Sequence, residues 1–203
     1  MRTLISVMAC TLFTLQAAHA QNYPAKPVRM IVPFPAGGAT DIVARLVAQK
    51  LSEAFGQQVV IDNRGGAAGT IGSDLAAKAP PDGYTLLVGT SSTHAIAQSL
   101  YAKLPYDSVK DFTPVIGFAT TTIVLSLHPS VPVKNVKELI ALAKAKPDAL
   151  SFASSGSGGV SHLVGEMFKA QAGVQMLHVP YKGDRSEEHT SELQSRLHLV
   201  CRL

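Results

Sequence analysis

Residues 28–61 read VRMIVPFPAGGATDIVARLVAQKLSEAFGQQVVI, and this stretch decides the fold class. Val28 to Val32 is a short, largely apolar and β-branched run that reads as a buried strand, stopped by Pro33-Phe34-Pro35. A glycine-containing turn follows. From about Thr40 to Phe55 apolar residues recur at helical spacing, at Ile42, Val43, Leu46, Val47, Leu51 and Phe55, which predicts that this set faces the core. Gly56 stands where a left-handed residue closes a helix. Val59 to Ile61 is the next strand. Strand, turn, helix and strand in this order form one βα repeat of a parallel sheet.

The same rhythm continues outward. Asn63-Arg64-Gly65-Gly66 reads as a loop, Thr70 to Lys78 as a helix, and Tyr84 to Val88 as a strand after the turn Pro80-Pro81-Asp82-Gly83. The polar run Gly89-Thr90-Ser91-Ser92-Thr93 leads toward a short helix near Ala95 to Tyr101. Phe112 to Leu127 is β-branched and reads as extended, the place where the chain is expected to cross into a second lobe. A helix from Val136 to Lys146, a strand from Ala149 to Ala153, a helix from Ser161 to Ala172 and a strand from Met176 to Val179 complete the pattern. Strands separated by helix-length segments define the α/β class. By themselves they do not separate a Rossmann, flavodoxin-like or binding-protein architecture.

The two ends have a different character. Arg2, the apolar run Leu4 to Leu15 and the small-x-small triplet Ala18-His19-Ala20 predict a cleavable export signal over residues 1–20, with Gln21 as the mature N-terminus. That apolar run is shorter than the roughly 20 residues of a membrane span. Cys10 lies inside it, too early for a lipoprotein cut. At the other end, residues 185–195 read RSEEHTSELQS, which matches an in-frame translation of a widely used short-read sequencing adapter. Residues 185–203 are therefore expected to be an artefactual tail and are set aside from the fold. Between these ends the reading expects a first lobe over residues 21–118 and a partial second lobe over residues 119–184.

Two strand-to-helix loops carry the chemistry. The first is Pro33-Phe34-Pro35-Ala36-Gly37-Gly38-Ala39-Thr40-Asp41; the second is Ser154-Ser155-Gly156-Ser157-Gly158-Gly159-Val160-Ser161-His162. Glycine lets the backbone approach a ligand closely, and a helix start offers unpaired N–H groups at the positive end of the helix dipole. With one loop on each lobe, an anion is held between two helix starts with no Lys or Arg required. Neither loop is a nucleotide motif. The first lacks the Gly-Lys-Ser/Thr ending of a phosphate-binding loop, and the second has Ser161 where the dinucleotide fingerprint needs its third glycine.

Composition narrows the remaining classes. Both cysteines, Cys10 and Cys201, lie outside residues 21–184, so that stretch has neither disulfide nor thiol chemistry. The net charge of +4 is mild and scattered, and tryptophan is absent, which gives no nucleic-acid footprint. His94, His128, His162 and His178 are far apart in sequence, with no metal-ligand spacing, and no metal or other cofactor is expected. A Ser/His hydrolase is the enzymatic alternative. No Gly-x-Ser-x-Gly elbow surrounds Ser91 or Ser157, so no catalytic residue is assigned.

The segments YPAKPVRMIVPFPAGGATDIVARLVAQKL and VVIDNRGGAAGTIGSDLAAKAPPDGYTLLVGTSSTHAI, followed by KDFTPV, SFASSGSGGVSHLVGEMF and VPYKG, together resemble the Bug-type receptors of tripartite tricarboxylate transporters. The resemblance runs from Tyr23 to Asp184 in order. It implies a periplasmic binding protein of the type II, Venus-flytrap kind, here with its second lobe incomplete. It also implies a monomer that captures a small carboxylate and delivers it transiently to a two-subunit membrane permease. By position it assigns the ligand site to Phe34, Ala36, Gly37, Gly38, Thr40 and Asp41, to Ser91 and Thr93, and to Ser155, Gly156, Ser157, Gly158 and His162. Asp41 repels an anion, so its expected role is to orient water or cap backbone N–H groups. A receptor for a sensor partner is the alternative that the same closed form would serve.

Overall fold

A computed structural model describes residues 23–181 and, as backbone alone, the strand at 197–200. The expected signal over residues 1–20 lies outside the described residues, as does the adapter-like run 185–195.

Strand β1 (Val28–Val32) is followed by helix α1 (Ala39–Phe55), β2 (Val59–Asn63), a 3₁₀ turn (Ala67–Gly69), α2 (Thr70–Ala77) and β3 (Thr85–Leu87). These strands form a parallel sheet in the order β2-β1-β3, with Val28 opposite Val59 and Arg29 opposite Thr85. The run of Val28, Met30 and Val32 on one face of β1 packs with Val59, Val88, Ala44 and Ala48 in one core.

Here the helix departs from the expected face. Ile42 and Leu46 are 50 % and 61 % exposed, whereas Ala44 and Ala48 are buried, with Val47, Leu51 and Phe55 packed beside them. Positions 44, 48, 51 and 55 share one side of a 3.6-residue helix, and small alanines allow that side to lie close on the sheet. Counting large apolar residues picks a face rotated away from the one that the alanines choose. Gly56 closes α1 as expected, at φ 64, with its N–H bonded to the Ser52 carbonyl.

After β3 the chain makes a π-helical turn (Ser92–Ile96) that runs into the short α3 (Ala97–Leu100). The β-branched stretch read as extended forms only β4 (Val124–Ser126); residues 113–123 have neither helix nor strand and are almost wholly exposed. Without a neighbouring strand, β-branched composition is not enough to build a ladder. Then follow α4 (Val136–Ala145), β5 (Ser151–Ser154), α5 (Val160–Ala172), β6 (Leu177–Pro180) and β7 (Leu197–Val200). Asn135 caps α4 by accepting the Glu138 N–H, and Glu138 reaches back to the Lys134 N–H.

The second sheet runs β4-β7-β5-β6. The pairs β5–β6 and β5–β7 are parallel, and β4–β7 is antiparallel. The sequence reading set residues 185–203 aside, yet the backbone of 197–200 stands inside this sheet, where it pairs on both sides. Its core is separate from the first: Leu139, Ala143, Leu150, Val174 and Met176 gather around Phe152, which is fully buried. Two sheets with two cores place the glycine-rich loops at the carboxyl ends of β1 and β5, where open α/β sheets bind ligands.

Candidate functional site

The first loop is held by a buried carboxylate. Asp41, 1 % exposed, sits in the first turn of α1. Its Oδ2 accepts the Gly37 N–H at 2.8 Å and Arg45 Nε at 2.8 Å, and its Oδ1 accepts Asn63 Nδ2 at 2.8 Å. Asn63 also donates to the Phe34 carbonyl at 3.1 Å, so one amide from the end of β2 ties both ends of the loop. Burial alone would raise the Asp41 pKa; the bonds from Arg45, Gly37 and Asn63 outweigh it and hold the carboxyl below its ordinary value. Asp41 therefore caps the loop backbone, one of the two roles expected of it. Asn63 escaped the sequence reading because β2 ends two residues later than its apolar run, and Arg45 because that reading does not draw its i,i+4 pairing with Asp41.

Around this clamp Ala36 and Gly37 are exposed, Gly37 at φ 84, and Phe34, Gly38 and Thr40 are half-buried. The N–H groups of Ala39, Thr40 and Asp41 have no protein acceptor among the described residues. Behind the loop, backbone approaches closely at Gly69: a Cβ there would meet Thr93 Cγ2 at 2.6 Å and Phe34 Cζ at 3.2 Å. The first loop and the turn after β3 thus both close on Gly69, through Phe34 and Thr93.

In that turn the structure divides the hydroxyls. Ser91 is exposed. Thr93 is fully buried, and its Oγ1 is engaged with Thr90 and with His94 Nδ1 at 2.8 Å, which makes it a shaper of the turn. Between them Ser92, 7 % exposed, accepts the Val160 N–H at 3.3 Å, a contact across 68 residues that ties this turn to the start of α5. No spacing rule separates three adjacent hydroxyls; only the π-helical turn decides which one crosses.

The second loop is braced from within. Ser155 N–H donates to Ser161 Oγ at 3.1 Å, and the two hydroxyls lie 3.0 Å apart. Gly156, at φ 135, donates to Ser154 Oγ, and Gly158, at φ 85, donates to His162 Nδ1 at 3.1 Å. The exposed Ser157 offers its carbonyl to Tyr101 Oη at 3.3 Å. Beneath the loop His162 stacks on His178, centroids 4.0 Å apart, and His178 stacks on Phe152. Sixteen residues separate the two rings in sequence, so only the β5–α5–β6 fold makes them neighbours. His178 Nε2 lies 2.6 Å from Ser154 Oγ.

Burial, and then the charge of His162, push the His178 pKa below its ordinary value of 6.5. Folding thus favours the neutral ring, and the unfolded chain takes up more protons just below pH 6.5. Stability is expected to fall as the pH drops through that window. Urea titrations at stepped pH should show this slope, and His178→Gln should flatten it. A slope identical in both proteins would remove His178 as its source.

Two open hollows adjoin these elements differently. One, of about 490 Å³, is lined by Pro27, Val28, Arg29, Val60, Ile61, Asp62 and Arg64 on the first sheet, away from both loops. There Asp62 is paired with Arg29 and Arg64. The other, of about 360 Å³, is lined by Ala95, Ile96, Ser99, Leu100 and Leu163, between the turn after β3 and α5. The smaller one lies beside the second loop, since Leu163 belongs to α5 and Leu100 presses on Gly158.

A two-sheet α/β chain with glycine-rich helix starts at its strand ends is of the periplasmic binding-protein class. The model for the receptors of the tripartite tricarboxylate transporter family matches residues 43–195, and the chain belongs to that family. A protein from the tcbD-tcbE intergenic region of Pseudomonas sp. strain P51 is 42 % identical over 87 % of this chain and 52 % of its own length. The structure of R. palustris Rpa4515 with adipate superposes with a TM-score of 0.78 at 44 % identity, over 81 % of this chain and 55 % of that one. MatC from Rhodopseudomonas palustris with bound malate gives 0.79 at 33 % identity, over 86 % and 60 %. The chain spans about half the length of the curated relatives it matches.

Proposed function

We propose that this chain is the ligand-capturing part of a periplasmic receptor that holds one small carboxylate between its two sheets. It would act as a monomer and present that ligand transiently to a two-subunit membrane permease. One observation carries the reading: two glycine-rich helix starts, with no Lys or Arg in either loop, keep backbone N–H groups without protein acceptors among the described residues. Those of Ala39, Thr40 and Asp41 belong to the first, and those of Ser161 and His162 to the second. Such groups suit a carboxylate oxygen. Ala36, Gly37, Gly38, Thr40, Ser155, Gly156, Ser157 and Gly158 form the backbone rim in this reading, and Phe34, Thr93 and Asp41 support it from behind. The hollow beside Leu100 and Leu163 would take the carbon chain of the acid. Bound adipate and malate in two family structures agree with this ligand class. The boundary between the lobes is placed near residues 118 and 119, within the exposed stretch before β4. Residues 1–20 are the export signal, cut between Ala20 and Gln21.

The Ser154–His178 pair at 2.6 Å is the observation a hydrolase reading would use. Ser154 is fully buried, and its hydroxyl also bonds within the loop to Gly156, so a carbonyl substrate has no approach to it. Binding without turnover is the better reading.

The test is a thermal-shift panel of C4 to C6 mono- and dicarboxylates on the full chain, with adipate and malate included. A bound acid at a hundredfold excess over its Kd should stabilise by about 2.7 kcal/mol. A panel with no shift would sink the carboxylate reading.

A further inference from the structure

Ser92 stands where the first sheet meets the second loop, and its surroundings give it a specific task. It opens the π-helical turn Ser92–Ile96, a geometry that concentrates at functional sites. Its Oγ accepts the Val160 N–H, the first amide of the thirteen-residue helix α5. Its own hydroxyl proton has no acceptor among the described residues. The residue is 7 % exposed, so this unused donor is held where solvent barely reaches.

Nine residues on, at Tyr101, the same segment makes a second attachment. Tyr101 Oη donates to the Ser157 carbonyl, and a Cβ on Gly158 would meet Leu100 Cδ2 at 2.5 Å and Tyr101 Oη at 2.9 Å. Gly158 is therefore glycine for two reasons: its φ of 85, and the side chains pressed against it. The segment from Ser92 to Tyr101 thus grips the second loop at three points, Ser157, Gly158 and Val160.

We propose that Ser92 is a positioning residue that couples the turn after β3 to the anion loop. By accepting the Val160 N–H it fixes the loop, and the same bond turns its free O–H into a donor for the ligand carboxylate beside the amides of Ser161 and His162. The proposal rests on the carboxylate reading for its ligand half and on geometry alone for its coupling half. An oxygen that accepts one hydrogen bond and donates another links the two sheets through the ligand, so the ligand stabilises their contact as it binds.

Two variants test it in the full chain. Ser92→Ala removes the oxygen. Val160→Pro removes the donor at the first helical position, where proline is well tolerated. Ser91→Ala, at the exposed neighbour, is the control. Without ligand, amide exchange at Val160 should accelerate roughly fivefold or more in Ser92→Ala, the loss of one hydrogen bond of about 1 kcal/mol. It should stay unchanged in Ser91→Ala. In calorimetry with adipate and malate, Ser92→Ala should weaken the acid that binds wild type by about tenfold or more, as expected for a hydrogen bond to a charged acceptor. Ser92→Ala in the Val160→Pro background should weaken it less than in wild type, since the two share one bond.

Wild-type exchange at Val160 in Ser92→Ala overturns the coupling. Accelerated exchange with unchanged affinity overturns the ligand half. If wild type binds no acid of the C4 to C6 panel, the carboxylate reading fails separately, and the exchange measurement still decides the coupling. A melting temperature lowered by no more than about 4 °C in Ser92→Ala, the shift one lost hydrogen bond accounts for, and unchanged in Ser91→Ala, would establish that neither result comes from unfolding.

Discussion

Gly165→Val is expected to destabilise the second core by ~3 kcal/mol, and Gly165→Ala by somewhat less. A Cβ at this position would lie 2.2 Å from Phe152 Cε2 and 2.6 Å from Cδ2. Real atoms do not approach so closely, so either α5 lifts from the sheet or the ring moves. The ring has little freedom: Phe152 is fully buried, His178 stacks on one face at 4.9 Å, and Lys169 Nζ lies 5.7 Å from its centroid. Moving it would disturb the His162–His178 stack under the second loop, so ligand affinity should fall together with stability. A glycine inside a helix costs about 1 kcal/mol relative to alanine, and that is the smaller term here. The decisive measurement is a double-mutant cycle in urea. Phe152→Leu should cost stability on its own by leaving a cavity, and Gly165→Ala should fill part of it. Additive losses in the double variant would show that the ring and the helix do not compete for this space.

That glycine also marks the limit of what the chain reveals before it is folded. The alternation of strands and helices was legible because it rests on local period and turn chemistry. α1, α2, α4 and α5 and the strands β1, β2, β5 and β6 all stand within a few residues of where their apolar runs place them. The same holds for the two loops and the end of α1, since Gly37, Gly156 and Gly158, and Gly56 after the helix, all have positive φ. What failed was whatever depends on a partner. The buried side of α1 is chosen by Ala44 and Ala48 against β1, which no count of large residues detects. The β-branched run before β4 has no strand beside it among the described residues and stays irregular. At the site, Asp41 was found by its place in the loop, whereas Asn63, Arg45 and Ser92 act across 22, 4 and 68 residues. Arg45 alone was reachable, as the i,i+4 partner of Asp41 on one helix face. Asn63 has a retrospective signal too: an amide directly after a buried strand, at the end where ligands bind.

The second large effect is expected at that clamp. Asp41→Ala should destabilise by ~3 kcal/mol and reduce carboxylate affinity well beyond what the stability loss explains. Three donors converge on this carboxylate; the Gly37 N–H has no other acceptor among the described residues, whereas Asn63 Nδ2 also donates to the Phe34 carbonyl. Removing the acceptor breaks the Gly37 bond and one of the two Asn63 bonds, leaves a hole at a buried position, and loosens the loop backbone at Gly37. Arg45 is half exposed, so its ion pair adds little by itself. Asp41→Asn separates the contributions: it keeps one acceptor oxygen but turns an NH2 group either toward Arg45 and the Gly37 N–H or toward Asn63 Nδ2. It should therefore recover only a small part of the loss. The pH dependence follows from the depressed carboxyl. Its stabilisation is fully present above the unfolded value of 3.8 and disappears as the pH falls through the lower folded value. The stability gap between wild type and Asp41→Asn should accordingly stay constant near neutrality and close only in acid below about pH 4. A gap that closes nearer pH 6 would assign the effect to the histidine stack. If Asp41→Ala binds adipate and malate as wild type does, the first loop needs no clamp, and its free amides are not the ones that meet the ligand.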